Sequence, residues 1–260
     1  MSIKDVEEEA QKELLKKVER KRIKIEKDKD LFETVEEVFD SKTVMAIYAL
    51  INKGMIDSMK GVVKAGKESR VYWAKGKNGE DLAVKIYLTS SMEFKKSMLQ
   101  YIHGDPRFKV GKDYRKIVYT WAQKEYRNLS EAKKAGVSVP RPIYAYQNIL
   151  IMDFIGAEGV PAPLLKDLPE LDENLYHQII NDVKRLFSVA GLVHADLSEY
   201  NIMVNDGKTY LIDFGQAVSI EHPMSWEFLR RDVSNILRVF KKAGLNVPEE
   251  EAVLEWLRKW

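Results

Sequence analysis

Apolar residues near the start of the chain recur at helical spacing after a stretch that is almost entirely polar. Residues 5–29 are dense in Glu, Lys and Arg, which predicts an exposed helix. From 31 to 56 apolar positions return every three or four residues, which predicts a helical pair that packs on the body. Asp40 and Ser41 interrupt this pattern, as a break or as the cap of the second helix.

The period then changes to two, which predicts a small antiparallel sheet. Asn78 and Gly79 form a typical hairpin turn between the last two of its strands. Residues 89–112 lack a clear period and predict a long mobile loop with some helix. The three alternating segments lie near 62–63, 71–74 and 82–87.

The second part of the chain becomes progressively more helical. A helix is predicted over 114–135, ended by Gly136, and two more strands follow near 143–146 and 149–152. A connector rich in Gly and Pro spans 156–163. Strands followed by helices indicate an α+β, bilobal plan. The later helices are predicted over 172–189, 226–243 and 249–260.

This plan divides the 260 residues into three parts of one domain. They are an N-terminal helical extension (1–56), a small lobe built on the antiparallel sheet (57–153) and a mostly helical C-lobe (154–260). An apolar share of 45% is ordinary for a globular protein of this size.

Charge and composition exclude several classes of function. Lys and Arg number 42 against 40 Asp and Glu, so any basic face for nucleic acid must be local. The chain has no cysteine, which excludes disulfides and a thiol metal site, and its four scattered histidines make a histidine metal cluster a poor hypothesis. No apolar run reaches membrane-spanning length, and the N-terminus does not resemble a signal peptide. These features predict a cytoplasmic protein without a membrane partner.

The strongest chemical signal is the octet HADLSEYN at 194–201, followed by DFG at 213–215. The two motifs resemble the paired catalytic and metal signatures of protein kinases. Asp196 can accept the proton of an attacking hydroxyl. Asn201 and Asp213 offer hard oxygen ligands suited to a Mg²⁺ that bridges phosphates. Apolar segments on both sides predict short strands that hold these loops.

A lysine upstream of the octet has the sequence context of a phosphate ligand. Lys85 follows Leu-Ala-Val in a predicted strand, as the phosphate-binding lysine does in the third strand of a kinase small lobe. Its carboxylate partner is expected on the next helix. Glu125 is the first choice and Glu131 the alternative.

Residues 61–67 match most of a Walker A loop, but two features argue against that interpretation. Glu68 stands where the magnesium-binding Ser or Thr should be. The chain then continues into the predicted strand at 71–74, whereas a Walker A loop requires a helix.

The same segment can be aligned with the glycine-rich loop of kinases. With Val71 as the valine of G-x-G-x-x-G-x-V, only Gly66 keeps its glycine, and Lys64 and Ser69 occupy the other two positions. Gly66 permits close approach of the backbone to phosphate. Lys67 and Ser69 are candidate donors to phosphate oxygens.

A third nucleotide contact is predicted where the last strand of the sheet meets the second lobe. The apolar run from 149 leads to a hinge near 153–156. Backbone groups of Asp153 and Ile155 are suited to the edge of adenine, with Met152 behind it.

Three departures from ordinary kinases narrow the interpretation. Ala195 replaces the arginine that often receives an activation-loop phosphate, and Ser198 replaces a lysine that faces the γ-phosphate in many serine/threonine kinases. No Ala-Pro-Glu follows the DFG motif, and a helix is predicted from about Pro223. Little chain is therefore predicted for an activation segment or for a helical platform that docks peptide substrates.

These residues resemble the RIO family of atypical serine/threonine kinases. His-Ala-Asp and the N-terminal helical segment are most similar to its first branch. The resemblance implies a bilobal kinase-like fold, ATP with Mg²⁺ or Mn²⁺, and autophosphorylation on serine. It also implies a role in maturing the small ribosomal subunit, whose precursor would be the partner. The matching segments are GKES at 66–69, AGVSVPRP at 135–142, the octet at 194–201 and IDFGQ at 212–216.

The resemblance also leaves alternatives for the reaction. Some family members are thought to act mainly as ATPases through a phosphate carried on the aspartate that corresponds to Asp213. Small-molecule phosphotransferases of the aminoglycoside type share both motifs, although they typically have a larger acceptor-binding helical region. A nucleotide-gated ribosome assembly factor with little turnover is a third hypothesis.

Overall fold

The computed structural model describes residues 39–89, 98–108 and 113–259. The exposed helix predicted at 5–29 and the first helix of the pair predicted from 31 lie outside these residues, as does part of the loop predicted at 89–112. Within this loop, residues 98–102 are helical. In the described part of the chain, no helix combines the length and the apolarity that a membrane span requires.

The N-terminal lobe is a five-stranded antiparallel sheet with a helix on each face. Its strand order is β1-β2-β3-β5-β4. A tight turn at 76–80 connects β2 to β3, and Gly79 there has a φ of +83°. The predicted strands and hairpin are confirmed. The elements are α1 (Ser41–Asn52), β1 (Ser58–Ala65), β2 (Ser69–Lys75), β3 (Asp81–Tyr87), α2 (Tyr114–Lys134), β4 (Pro142–Tyr146) and β5 (Ile149–Asp153).

Alternation along β5 explains how the two helices flank the sheet. Ile149 and Ile151 are buried in the cluster that contains α1, whereas Leu150 is buried in the cluster that contains α2. The predicted cap of α1 is present, because an Asp40 carboxylate oxygen accepts a hydrogen bond from the N–H of Thr43 at 2.9 Å. Helix α2 lies between the sheet and the second lobe, because its cluster contains Leu150 of β5 and also Phe214 and Phe228 of that lobe.

A short hairpin connects the lobes where the sequence predicted an irregular connector. Gly156 has a φ of +138°, a conformation that only glycine adopts readily. Gly159 lies against the ring of Trp73 so closely that an added Cβ would be 2.5 Å from it. The Asp81 carboxylate links the sheet to the hairpin. It accepts hydrogen bonds from Trp73 Nε1 at 2.6 Å and from the Glu158 N–H at 3.3 Å. The hairpin strands are β6 (Gly156–Ala157) and β7 (Val160–Pro161).

The C-terminal lobe is mostly helical, with two small strand pairs that support the catalytic motifs. Strand β9 pairs with β10, and β8 pairs with β11, both antiparallel. The predicted helices are confirmed, with ends that differ by one or two residues. The elements are a 3-10 turn (Leu165–Asp167), α3 (Glu173–Ser188), β8 (Leu192–Val193), β9 (Ile202–Asn205), β10 (Lys208–Leu211), β11 (Val218–Ser219), α4 (Ser225–Lys242) and α5 (Glu250–Arg258).

Candidate active site

A largely apolar cleft of about 430 Å³ lies between the lobes. Val71 and Ala83 line it from the sheet, and Met203 and Ile212 line it from the C-terminal lobe. Of the predicted site residues, those lining the cleft are Gly66, Ser69, Lys85, Met152, Asp153, Ile155 and Asp213. Its size and apolar walls are typical of a small-molecule site.

Lys85 connects the small lobe to the DFG aspartate. Its Nζ lies 2.8 Å from Glu125 Oε1 and 2.9 Å from Asp213 Oδ1. Burial alone would lower the pKa of Lys85, but the two carboxylates raise it above its ordinary value, so the ammonium is charged. The expected pairing with Glu125 is present, whereas Glu131 binds Arg107 and Arg127 instead.

Asp213 is held in an unusual backbone conformation with part of its side chain accessible. Its φ is +65°, uncommon for a residue other than glycine, and its side chain is 44% exposed. Partial burial would raise the pKa of Asp213, but the Lys85 ammonium lowers it below its ordinary value. Asp213 is therefore an ionised carboxylate with surface available to a cation.

Asp196 and Asn201 meet across the catalytic loop. The amide nitrogen of Asn201 donates to the Asp196 carbonyl at 2.8 Å and to Asp196 Oδ2 at 3.1 Å. Asn201 Oδ1, the atom able to bind a metal ion, is outside these two bonds. Burial and the Asp213 charge raise the pKa of Asp196 to about 6, a value suited to a general base near neutral pH.

His194 has a supporting position behind the loop. It hydrogen-bonds the Ile212 carbonyl through Nε2 at 3.0 Å, and its ring meets Phe214 edge to face at 4.7 Å. Burial lowers the pKa of His194 to about 4, so the ring is neutral at physiological pH. His194 therefore joins the octet to the DFG segment and does not itself carry charge.

The sequence interpretation did not identify Asp232, which anchors the catalytic loop from α4. Its carboxylate accepts the N–H of Ala195 at 2.8 Å and the N–H of Leu197 at 2.9 Å. It is 1% exposed, and burial raises its pKa to about 7 against the lowering effect of these bonds. The available signal was a carboxylate on the apolar face of α4, between Leu229 and Val233.

We expect Asp232→Asn to destabilise the fold by about 2 kcal/mol and to reduce activity. The amide would present an N–H₂ group to one of two buried peptide donors, leaving that donor unpaired. Ala195 would also lose support for its φ of +64°. Denaturant unfolding and a rate measurement check this, with Glu227→Gln on the exposed side of α4 as the control. Equal unfolding free energies for the two variants would contradict it.

The predicted phosphate-binding residues are only partly gathered at the cleft. Gly66 and Ser69 line it, together with Lys64, but Lys67 does not. The Gly66 N–H donates to the Ser69 carbonyl at 2.9 Å, so the segment is a tight turn between β1 and β2. Because a strand follows this turn, the Walker A alternative is excluded.

The hinge offers a limited set of backbone groups to a ligand. The Asp153 N–H donates to the Arg141 carbonyl at 2.9 Å, and the Ile155 carbonyl accepts from Ala162 N–H at 3.0 Å. Neither of these two bonds uses the Asp153 carbonyl or the Ile155 N–H, the groups predicted to meet the edge of a base. Met152 lines the cleft beside them.

Comparison with solved structures identifies the fold. The Rio2 kinase from Chaetomium thermophilum, in a crystal structure described as an ADP/Mg²⁺-phosphoaspartate complex, aligns with a TM-score of 0.62 at 21% identity. The alignment covers 82% of this chain and 65% of that one. The α+β, bilobal kinase-like fold predicted from the sequence is confirmed.

Comparison of sequences identifies the family. Rio1 serine/threonine-protein kinases from Haloferax volcanii and Methanocaldococcus jannaschii are each 41% identical to this chain, over 84% and 91% of its length and 75% and 79% of theirs. Human RIO1 is 40% identical over 89% of this chain but only 42% of its own length, so this chain spans less than half of that relative. These relatives are of the predicted first branch. The RIO domain model matches residues 70–253, and the chain therefore belongs to the RIO family.

Proposed function

We propose that this protein transfers the γ-phosphoryl group of ATP, acting as a serine/threonine protein kinase of the RIO type. The observation that carries the proposal is the arrangement at one end of the cleft. Lys85 is bound to Asp213, and Asp196 is close enough for the Asp213 charge to raise its pKa. The relatives are named as protein kinases, which favours this activity over small-molecule phosphotransfer.

The apolar part of the cleft fits the base of a nucleotide. Val71 and Ala83 would cover one face of adenine, with Met203 and Ile212 on the other. The Asp153 carbonyl and Ile155 N–H would bind its edge. Gly66 and Ser69 would lie over the phosphates, and Lys85 would bind phosphate oxygens as a positioned positive charge.

The residues also fit a divalent cation, either Mg²⁺ or Mn²⁺. Within the described ranges no group of three His, Cys, Asp or Glu residues forms a complete metal site. Asn201 Oδ1 and the accessible carboxylate of Asp213 would supply two hard ligands, which suits an ion that keeps waters and binds phosphates. Such an ion supplies charge neutralisation during phosphoryl transfer.

Each side chain then has a distinct task in the reaction. Asp196 receives the proton of the acceptor hydroxyl, a task that fits its raised pKa. Glu125 braces Lys85 from a fully buried position. Because little covalent chemistry falls to the protein, catalysis consists mainly of positioning and electrostatic stabilisation.

One observation favours ATP hydrolysis as a second activity. Only the two-residue strand β11 and the turns on either side of it lie between the DFG motif and α4, which begins at Ser225. Such a short connection offers little surface for a peptide acceptor. Asp213 would instead accept the γ-phosphoryl group with release of ADP, and water would then hydrolyse the acyl phosphate. The crystal structure of the Chaetomium Rio2 kinase is an ADP/Mg²⁺-phosphoaspartate complex.

Incubation with γ-labelled ATP and Mg²⁺ tests the function and separates the two acceptors. We expect labelled protein together with released phosphate. Treatment with hydroxylamine distinguishes the labels, because it cleaves an acyl phosphate on Asp213 but leaves phosphoserine intact. The purified, folded protein forming neither label nor phosphate would contradict the proposed function.

From the family resemblance we propose that the partner of this protein is a precursor of the small ribosomal subunit. We propose that the two meet in the cytoplasm. The proposal predicts that the protein sediments with such particles and that nucleotide changes the bound fraction. Sucrose-gradient sedimentation with ATP, with ADP and without nucleotide measures this. Identical profiles with no protein in the particle fractions would contradict it.

A further inference from the structure

The turn that follows Asp213 directs several backbone carbonyls at α2. Phe214 is fully buried, and the Ala217 N–H donates to its carbonyl at 3.3 Å, which closes the turn. The carbonyls of Phe214, Gly215 and Ala217 all accept hydrogen bonds from side chains of α2. The segment next to the predicted metal ligand is therefore attached to a helix of the other lobe.

Two fully buried side chains of α2 supply these bonds. Lys124 Nζ donates to the Gly215 carbonyl at 3.0 Å and also to the Ala217 carbonyl. Asn128 Nδ2 donates to the Phe214 carbonyl at 3.0 Å and to the Ala217 carbonyl at 2.8 Å. Both residues are 0% exposed. In the described part of the chain Lys124 forms no ion pair, so backbone carbonyls are its hydrogen-bond acceptors.

The same face of α2 also shapes the turn sterically. Gly215 lies against the indole of Trp121, and an added Cβ would be 2.9 Å from Nε1. Trp121, Lys124, Glu125 and Asn128 are spaced three and four residues apart, so they form one stripe of the helix. Glu125 reaches Asp213 through Lys85, while the other three contact the residues after it.

Lys124 and Asn128 are polar side chains at buried positions of α2, where apolar side chains would suffice to fill the space. A buried lysine with no carboxylate at salt-bridge distance is costly. Burial lowers the pKa of Lys124 to about 7, although the charge of Asp105 opposes this effect. An apolar residue could fill its space, but it would leave the carbonyls of the turn unpaired. The free energy lost by burying Lys124 is explained if these hydrogen bonds set the orientation of the turn after Asp213.

We propose that Lys124 and Asn128 are positioning residues, which lock the turn after Asp213 to α2 and so hold the Asp213 carboxylate in its metal-binding orientation. This inference rests on the proposed function, because it assigns Asp213 to the metal. The lock would keep the site assembled without a phosphorylated activation segment. The arginine that binds such a phosphate in many kinases is replaced by Ala195 in this chain.

Replacing Lys124 by methionine tests the lock, since methionine fills similar space without a donor. We expect the Mg²⁺ concentration for half-maximal rate to rise about tenfold and kcat to fall about tenfold, each the effect of losing one positioning interaction. The KM for ATP should change less, because the adenine contacts lie in the hinge. Lys133→Met, an exposed lysine on the same helix, is the matched control and should leave these constants unchanged.

Hydrogen–deuterium exchange gives a readout that does not depend on activity. In Lys124→Met, peptides spanning 213–219 should exchange faster than in the wild type, while peptides of α4 should not change. Asn128→Ser provides a second variant with the same expectation, should Lys124→Met not fold. Unchanged exchange at 213–219 together with an unchanged Mg²⁺ requirement, in either folded variant, would overturn the inference. If the wild-type protein shows no turnover of ATP, the proposed function is contradicted. The exchange rates at 213–219 then decide by themselves whether Lys124 and Asn128 lock the turn.

Discussion

Asp213→Asn should reduce the rate of phosphoryl transfer on the order of 10³-fold, the loss typical of removing a charge that stabilises the transition state. Asparagine keeps the shape of the side chain and tolerates the φ of +65° at this position, so the fold should persist. The variant loses the negative charge that binds Lys85 and the metal. Steady-state rates over a range of Mg²⁺ concentrations measure the effect.

The same variant distinguishes the kinase and ATPase mechanisms. If the phosphoryl group passes through Asp213, the hydroxylamine-sensitive label must disappear in Asp213→Asn, whereas a label on serine would only weaken. Asp206→Asn is the matched control, since Asp206 also has a positive φ, of +51°, but lies in the exposed turn between β9 and β10. Rates for Asp213→Asn within a few fold of this control would refute the assignment of Asp213 to the metal.

Asp196→Asn should lower kcat roughly 10²- to 10⁴-fold, the range that a positioned general base contributes. The amide cannot accept the proton, but it can still take part in hydrogen bonds with Asn201. Binding of ATP should change little, because Asp196 does not line the adenine part of the cleft. Single-turnover rates and nucleotide binding, measured side by side with Asp206→Asn, separate loss of chemistry from loss of binding.

The wild-type pH profile provides an independent check on Asp196. Its pKa is raised to about 6 by burial and by Asp213, and only the carboxylate form can act as a base. The value of kcat/KM should therefore be constant above about pH 7 and fall about tenfold per pH unit below 6. His194 cannot produce this limb, because its pKa is lowered to about 4, whereas Asp232, whose pKa is raised to about 7, would produce a limb about one pH unit higher. A flat profile from pH 5 to 8 would show that proton transfer to Asp196 is not needed.

Much of the fold was predictable because hydrophobic periodicity reports burial directly. Helix α2 follows its expected period, and Asp40 caps α1 as its sequence position indicates. Strand β3 lies where it was predicted, although it is buried on both faces and its burial does not alternate. The linear motifs gave Asp196, Asn201 and Asp213 because their spacing in the chain is short. Predicting the pairing of Lys85 with Glu125 required only one further assumption, that the strand containing Lys85 packs against the next helix.

The remaining features depend on contacts that have no local pattern. Strands β6, β7 and β11 have two residues each, too few for any period to be recognised. Asp232 and Lys124 look like irregular charges on helices until the loops that they bind are known. Whether such a residue is exposed or satisfies buried peptide groups depends on chain segments 35 or more residues away.

The contact between Trp73 and Gly159 makes the hinge observable by optical means. The indole belongs to the sheet, and the glycine belongs to the hairpin beyond β5. If the lobes separate while the hairpin stays with the helical lobe, the indole must lose its cover and meet water, and its emission should shift to longer wavelength. If the hairpin moves with the sheet, the emission stays constant. The chain has five tryptophans, so the emission of Trp73 is isolated by replacing the other four with phenylalanine. Its spectrum would then reveal which segment bends when the cleft opens, without any attached label.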